Sequence, residues 1–211
     1  MTASPLQSPP GHGPRSVPAV ALTFDDGPGA VTGALLDVLR RHRARATFNV
    51  LGDRIAGRES LLRRAVSDGH EIGVHGWIHR DHRDGVADAA AGVARTAELV
   101  LAVCDVRPRL FRPPFGLTSR RLELAVARHG VTTVLWDVDP HDFEEPGADA
   151  IVDRMLATVR PGSIVLLHDD RPALSPTAEA VDVLIPALRR RGLRVVTASA
   201  MIGREPPPAR A

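Results

Sequence analysis

Seven short apolar runs alternate along this chain with longer stretches of helical periodicity, and this alternation limits the fold more than any other feature. The runs are partly β-branched and are bounded by glycine, proline or charged residues, which is typical of buried parallel strands. They lie at Val20–Phe24, Ala46–Val50, Glu71–Val74, Arg109–Phe111, Thr132–Trp136, Ser163–Leu167 and Arg194–Thr197. Strands that alternate with helices predict a parallel α/β fold, either a closed or nearly closed barrel or an open doubly wound sheet.

The stretches between these runs carry apolar residues at helical spacing. Val31, Leu35, Val38 and Leu39 repeat with a helical period, and residues 87–103 are alanine-rich. No glycine-rich dinucleotide-binding pattern follows the first run, and no repeat of solenoid length is evident. The sequence therefore favours one α/β domain over a nucleotide-binding fold or a repeat protein.

Both ends of the chain are rich in proline, glycine or serine and lack an apolar pattern. We expect disordered tails over residues 1–18 and 204–211, and one folded domain over residues 19–203. The start has no apolar run typical of a signal peptide, and no segment is long and apolar enough to cross a membrane, so we expect a cytoplasmic location. Cys104 is the only cysteine, which excludes a disulfide within the chain.

The charge pattern argues against a nucleic-acid partner despite a pI of about 9.8. All 27 Lys+Arg positions are arginine and the chain has no tyrosine. Almost nothing then titrates between histidine and arginine, which pushes the pI upward although the formal net charge is only +2. The arginines are interleaved with aspartate and glutamate rather than grouped in a basic stripe.

Ionisable residues follow five of the seven apolar runs directly. In a parallel β/α fold the carboxyl ends of the strands share one face, and that face holds the active site. The residues that we expect to meet there are Asp25, Asp26, His75, His79, Arg112, Asp142 and His168.

His75 and His79 have the spacing of a metal-binding pair. One helical turn would put both imidazoles on the same side, where they suit a metal ion. His82 is a weaker alternative to His79. Gly76 stands where a metalloprotease helix has glutamate, which argues against that class. A two-histidine, one-carboxylate iron oxygenase is disfavoured by the β/α pattern and by a carboxylate that precedes the histidines.

The other reactive residues suggest a base and an acid. Asp25 and Asp26 are adjacent, so an extended backbone points them in opposite directions, and one can bind metal while the other acts as a base. Arg112 precedes two prolines that keep its backbone extended, so it can hold a carboxylate such as Asp25. His168 follows an apolar run, and Asp142 can orient and charge its ring.

These segments resemble the motifs of the polysaccharide deacetylases, carbohydrate esterase family four. The resemblance is carried by TFDDGP at 23–28, RPPFG at 112–116 and LLHD at 166–169, and it covers residues 17–202. It implies a distorted (β/α)7 barrel with a divalent metal, zinc being the first choice and cobalt or nickel the alternatives.

The resemblance also implies a role for each reactive residue. Asp25 resembles the catalytic base and Arg112 the residue that positions it. His168 resembles the general acid, with Asp142 as its partner. The residues that resemble the metal ligands are Asp26, His75 and His79.

Four residues are expected on the substrate side. Leu166 resembles the wall of the acetyl methyl pocket, and the backbone N–H of Phe115 resembles an oxyanion donor. Trp77 and Phe143 also lie near the expected face. The chain departs from the family twice: Gly76 stands where serine or threonine is usual, and Phe143 stands where tryptophan is usual. Neither change removes a ligand, a base or an acid.

The resemblance implies hydrolysis of N-acetyl groups on an amino sugar, either an oligosaccharide or a small glycoside, with release of acetate. Two alternatives remain: hydrolysis of O-acetyl esters at the same site, and a catalytically silent carbohydrate-binding domain. The intact set of acid, base and metal residues argues against the silent domain. We expect no nucleic-acid or membrane partner, and the sequence leaves the oligomeric state open.

Overall fold

The computed structural model describes residues 9–82 and 85–204, over which seven β-strands alternate with seven α-helices. The strands are β1 (Ala19–Gly27), β2 (Thr47–Leu51), β3 (Glu71–Gly76), β4 (Leu110–Phe111), β5 (Thr132–Thr133), β6 (Ile164–His168) and β7 (Arg194–Val196). The helices are α1 (Thr32–Arg41), α2 (Glu59–Ser67), α3 (Val86–Cys104), α4 (Arg120–Ala127), α5 (Ala148–Thr158), α6 (Ser175–Arg190) and α7 (Ala198–Met201). Each predicted run overlaps one strand. Within this part of the chain, no helix combines the length and apolarity needed to cross a bilayer.

The strands form a parallel sheet that closes on itself. The order is β5-β4-β3-β2-β1-β6, and β7 pairs with the first residues of β1. Past the end of β5, Val138 forms a parallel bridge with Val165 on β6, and the Leu166 N–H donates to the Val138 carbonyl at 2.9 Å. The fold is therefore the distorted (β/α)7 barrel rather than an open sheet.

Side chains along each strand point alternately outward, into an apolar layer beneath the helices, and inward, to a polar interior. Leu22 and Phe24 on β1 join the core beneath the helices, where Phe24 stacks on Phe48 of β2 with ring centroids 5.1 Å apart. Because successive side chains point to opposite faces, Thr23 and Asp25 face the inside of the barrel. The hydrophobic core thus lies between sheet and helices, and the interior is left for polar groups.

β5 is shorter than the predicted run over residues 132–136. The Val134 N–H donates to the Phe111 carbonyl of β4, but the Leu135 N–H donates to the carbonyl of Pro10. The Leu135 N–H, which alternation along the strand directs away from β4, therefore bonds to the N-terminal segment rather than to another strand.

The prediction of a disordered tail over residues 1–18 is wrong for residues 9–18. The Gly13 N–H donates to the Gly162 carbonyl at 2.8 Å, and Arg15 forms an ion pair of 2.7 Å with Asp137. Arg204, the first residue of the predicted C-terminal tail, donates its backbone N–H to the Ser199 carbonyl at 2.7 Å. Proline and glycine remove a helix or strand pattern, but they leave backbone groups that can bond to distant segments. Residues 1–8 and 205–211 lie outside the described residues.

Arg15→Ala tests this anchoring. Arg15 donates to Asp137, to Ser163 Oγ and to the Pro161 carbonyl. Because its side chain is partly exposed, we expect a loss of about 0.5–1 kcal/mol in the free energy of unfolding, or about 1–4 °C in Tm for a domain of this size. Arg40→Ala is the matched control, since the Arg40–Asp37 pair is exposed on both sides. Equal Tm values for the two variants would show that the Arg15 contacts do not stabilise the fold.

Candidate active site

The chemically active residues predicted at the strand ends meet at one end of the barrel. Asp25 on β1 lies in register with His168 on β6 and with Asn49 on β2. His75 lies on β3, and Arg112 directly follows β4. A continuous set of contacts and strand pairings joins all seven residues that the sequence assigned to catalysis or metal binding: Asp25, Asp26, His75, His79, Arg112, Asp142 and His168.

Asp26, His75 and His79 form a group whose potential ligand atoms lie within 4.8 Å of one another. Asp26 Oδ1 is 3.3 Å from His75 Nε2 and 3.6 Å from His79 Nε2. This oxygen is buried and has no hydrogen-bond partner among the described residues. A buried acceptor is costly unless something binds it. Two imidazole nitrogens and a carboxylate oxygen suit a divalent metal, so the residues fit the metal that the resemblance implied.

Asp26 reaches this group because β1 departs from regular alternation there. The pairing of β1 with β2 shifts between Asp25 and Gly27, and Asp26 has a φ of 73°. Such a bulge changes the direction of a side chain within a strand. Asp26 can therefore face the two histidines while Asp25 stays inside the barrel.

His75 and His79 are joined by a bend rather than by a helical turn. β3 ends at Gly76, whose φ of 119° is strained for any residue with a side chain, and residues 77–80 form bends. The two imidazole centroids lie 5.3 Å apart. The two histidines do meet, but the predicted cause, one turn of helix, is wrong because the chain turns at Gly76 instead.

The His75 ring is oriented by the backbone of Arg112, the residue that follows β4. Its Nδ1–H donates to the Arg112 carbonyl at 2.7 Å, because a carbonyl oxygen can only accept. This fixes the tautomer and leaves the Nε2 lone pair toward Asp26, as metal-binding histidines require. Burial lowers the pKa of His75 despite the nearby charges of Asp25 and Asp26, so the ring is neutral.

His82, the weaker alternative ligand, lies outside the metal group, although its ring is buried. A Cβ built on Gly76 would lie 3.1 Å from His82 Nε2. The ring thus borders the space that the usual serine or threonine side chain would enter. His82 packs against the loop at the position where this chain lacks a hydroxyl.

Asp25 is held by a buried cation. Arg112 is fully buried, and its Nη1 donates to Asp25 Oδ1 at 3.0 Å and to Thr23 Oγ1 at 2.5 Å. Its Nη2 donates to the Leu135 carbonyl at 3.1 Å. Burial alone would raise the pKa of Asp25, but the charges of Arg112 and His168 hold it below its ordinary value. Asp25 is therefore ionised, as a base must be.

Asn49 is a site residue that the sequence reasoning missed. Its Nδ2 donates to Asp25 Oδ1 at 2.7 Å from the centre of β2. The signal was present, since a side-chain amide is unusual within the otherwise apolar run Ala46–Val50.

His168 is held and charged by Asp142. His168 Nδ1 lies 2.7 Å from Asp142 Oδ1, and Asp142 Oδ2 accepts from the His168 backbone N–H and from Thr177 Oγ1. Burial alone would lower the pKa of His168, but the hydrogen bond and charge of Asp142, with the charges of Asp25 and Asp26, raise it to about 9. The ring is therefore an imidazolium at neutral pH.

Two exposed phenylalanines flank the site. Phe115 is 61% exposed and meets His79 edge to face, with ring centroids 4.4 Å apart. Phe143 is 41% exposed and meets His168 in the same way at 5.7 Å. Both rings therefore lie beside residues assigned to metal binding or catalysis, and their contact with substrate stays a prediction.

Trp77 does not take the expected place beside them. The Arg95 guanidinium covers its ring at 3.4 Å, the ring packs against Gly52, and the Trp77 backbone and Cβ pack against Gly92 of α3. This packing gives Trp77 a structural role in place of the predicted substrate contact, because its ring is already covered. Leu166 is buried on β6, and its role in a methyl pocket stays a prediction.

Comparison with known proteins identifies the family. The family model described as polysaccharide deacetylase matches residues 12–134, more than half of the chain. The chain belongs to the polysaccharide deacetylase family. A chitooligosaccharide deacetylase of Sinorhizobium fredii is 42% identical over 195 residues, which are 85% of this chain and 91% of that protein.

Solved structures of the family have the same fold. The Bc1960 peptidoglycan N-acetylglucosamine deacetylase is 31% identical with a TM-score of 0.85, and the match covers 92% of each chain. A family 4 acetyl xylan esterase from Clostridium thermocellum, in complex with a cobalt ion, is 35% identical with a TM-score of 0.81 over 87% of this chain and 89% of that one. The barrel of these deacetylases is therefore also the fold of this chain, and Asp26, His75 and His79 form a possible metal site in a family that is metal-dependent.

The metal group can be tested by titration of the metal-free protein with zinc and with cobalt. Loss of a residue that only hydrogen-bonds to a metal ligand weakens metal binding by up to about 100-fold. We expect His75→Ala to weaken metal binding by more than this, because it removes a ligand itself. His82→Ala is the matched control, because it removes a buried histidine beside the group without removing a ligand, and it should weaken binding far less. Unchanged affinity in His75→Ala, or a comparable loss in His82→Ala, would contradict the assignment.

The charge on His168 can be tested by NMR titration of its ring in the metal-free protein. We expect Asp142→Asn to lower the pKa of His168 from about 9, because the carboxylate that opposes burial is removed. Glu144→Gln makes the same change two residues away and should leave this pKa unchanged. An unchanged pKa in Asp142→Asn would show that Asp142 does not hold the proton on His168.

Proposed function

We propose that this protein is a metal-dependent hydrolase that removes N-acetyl groups from the glucosamine units of a chitooligosaccharide and releases acetate. The observation that carries the proposal is the pairing of an ionised Asp25 with an imidazolium His168 on adjacent strands, beside three residues that suit a metal. Support for the substrate comes from relatives named chitooligosaccharide deacetylase, which match this chain over most of their length.

Asp26, His75 and His79 would hold the metal. Zinc suits two neutral imidazoles and one carboxylate, and cobalt or nickel accept the same donors. A divalent cation there would supply Lewis-acid polarisation of the acetyl carbonyl and a more acidic water.

Asp25 acts as the base and His168 as the acid. Oδ1 of Asp25 already accepts from Arg112 and Asn49, so Oδ2 is the oxygen that accepts the proton of the attacking water. His168 Nδ1 is bonded to Asp142, so the proton for the leaving nitrogen comes from Nε2. An amine leaves poorly unless it is protonated, and a His168 pKa of about 9 keeps that proton available at neutral pH.

The remaining groups orient the acetamide. The Phe115 N–H would donate to the developing oxyanion, and Leu166 would contact the acetyl methyl group. Phe115 and Phe143 offer two exposed rings on either side of the reacting group, enough to flank a short sugar chain.

An O-acetyl esterase is the second candidate, because a cobalt-bound acetyl xylan esterase shares the fold. The alcohol of an ester leaves with less help from an acid than the amine of an amide does. The strongly held proton of His168 therefore favours amide hydrolysis.

The two activities can be separated by measuring kcat/KM for penta-N-acetylchitopentaose and for 4-nitrophenyl acetate. We expect His168→Ala to lower the amide rate by ~10²–10⁴-fold, the usual size of a general acid contribution, and the activated ester rate by much less. Asp25→Asn should lower both rates, since both need the attacking water. His141→Ala, an exposed histidine in contact with Phe143, is the control. Equal losses on the two substrates in His168→Ala would remove the case for a general acid.

A further inference from the structure

The interior of the barrel contains a buried amide that the reaction described above does not use directly. Asn49 on β2 is fully buried and donates through Nδ2 to Asp25 Oδ1 at 2.7 Å. Its register partner on β3 is Gly73. We propose that Asn49 and Gly73 form a positioning pair that fixes the Asp25 carboxylate so that Oδ2 faces the reacting water. This inference rests on the proposed function, in which Asp25 is the base.

The orientation of the Asn49 amide has one consistent solution. A carboxylate oxygen only accepts hydrogen bonds, so the amide nitrogen must face Asp25. The Asn49 Oδ1 then points away, and it is buried with no partner among the residues that the structure describes. A buried carbonyl without a partner destabilises the fold, because the energy of its lost contacts with water is not recovered. An apolar residue at this position would avoid that cost, so stability alone does not account for an asparagine.

Two donors hold the same oxygen of Asp25. Arg112 Nη1 and Asn49 Nδ2 both donate to Oδ1, Arg112 from the residue after β4 and Asn49 from β2. Rotation of a carboxylate about χ2 is otherwise broad, since it is a bond between sp³ and sp² carbons. Oδ2 lies 3.9 Å from His75 Nδ1, whose hydrogen is committed to the Arg112 carbonyl. Oδ2 is therefore the oxygen left to accept a proton, and Asn49 keeps it there.

This arrangement requires glycine at position 73 because the Asn49 amide occupies the space that a side chain would fill, and not because of the backbone conformation. A Cβ built on Gly73 would overlap Asn49 Oδ1 and lie 3.3 Å from Asn49 Cγ. The next nearest atom, the Leu110 carbonyl oxygen, would be 3.5 Å away, an ordinary contact. A methyl group at position 73 would therefore displace the Asn49 amide and little else.

The proposal is tested by a double-mutant cycle on the metal-loaded enzyme, with penta-N-acetylchitopentaose as substrate. We expect Asn49→Ala to lower kcat by about 10–100-fold with KM nearly unchanged, because a misplaced base costs rate on this scale without weakening substrate binding. Gly73→Ala should lower kcat to a similar extent by displacing the amide. The double variant should be no worse than Asn49→Ala, since the methyl group then fills the vacated space.

Controls separate positioning from a general loss of structure. Zinc affinity should be unchanged in all three variants, because the ligands are elsewhere. Gly33→Ala is the matched glycine control, since a Cβ there meets only Leu61 at 3.8 Å and should leave kcat unchanged. A wild-type kcat in Asn49→Ala, or multiplicative losses in the double variant, would overturn the proposal.

Crystal structures of the metal-loaded variants give a readout that does not depend on turnover. We expect a rotated Asp25 carboxylate in both single variants relative to the wild type. An unmoved carboxylate would overturn the positioning role even if kcat falls. If the wild type releases no acetate from any N-acetyl sugar, the proposed function fails, and the carboxylate orientation still decides whether Asn49 and Gly73 position Asp25.

Discussion

The buried ion pair between Arg112 and Asp25 is the interaction on which the site depends. Both side chains are removed from water, so well-placed partners are needed to offset the cost of desolvation. Asp25, Thr23 and the Leu135 carbonyl provide partners for the two terminal nitrogens of the guanidinium, whereas its buried Nε has none among the described residues. Loss of one charge would leave the other buried, a penalty of about 3–5 kcal/mol in comparable pairs. The same Arg112 also orients His75 through its carbonyl, so one residue positions both the base and a metal ligand.

The barrel can hold this buried ion pair because the two faces of its strands have different surroundings. Outward side chains of the strands, such as Phe24 and Phe48, form the apolar core with the helices. Inward side chains near the carboxyl ends are then free to be polar, as Asp25 and Asn49 are. The core and the active site are therefore built from alternate residues of the same strands. A shift of one residue in strand register would turn the apolar side chains inward and the polar ones outward.

The sequence predicts the strands and the reactive residues because both depend on local patterns. Strand-like runs show in composition, and parallel strands bring their carboxyl ends to one face whatever the detailed path. The bulge at Asp26, the bend at Gly76 and the packing of Trp77 depend on contacts between distant segments, which no local pattern records. The ordered residues 9–18 were missed for the same reason. Asn49 was detectable as a polar residue in an apolar run, but only the fold shows which carboxylate it contacts.

The contacts of the N-terminal segment have a consequence for the order in which the chain can fold. Arg15 bonds to Asp137, 122 residues later, and to Pro161, 146 residues later. During synthesis the segment emerges before its partners, which follow only after most strands have been made. Contacts of such long sequence separation form late and slow folding, because loop closure must precede them. Residues 9–15 should therefore become ordered among the last events of folding. Their ordering would indicate that the barrel has already closed.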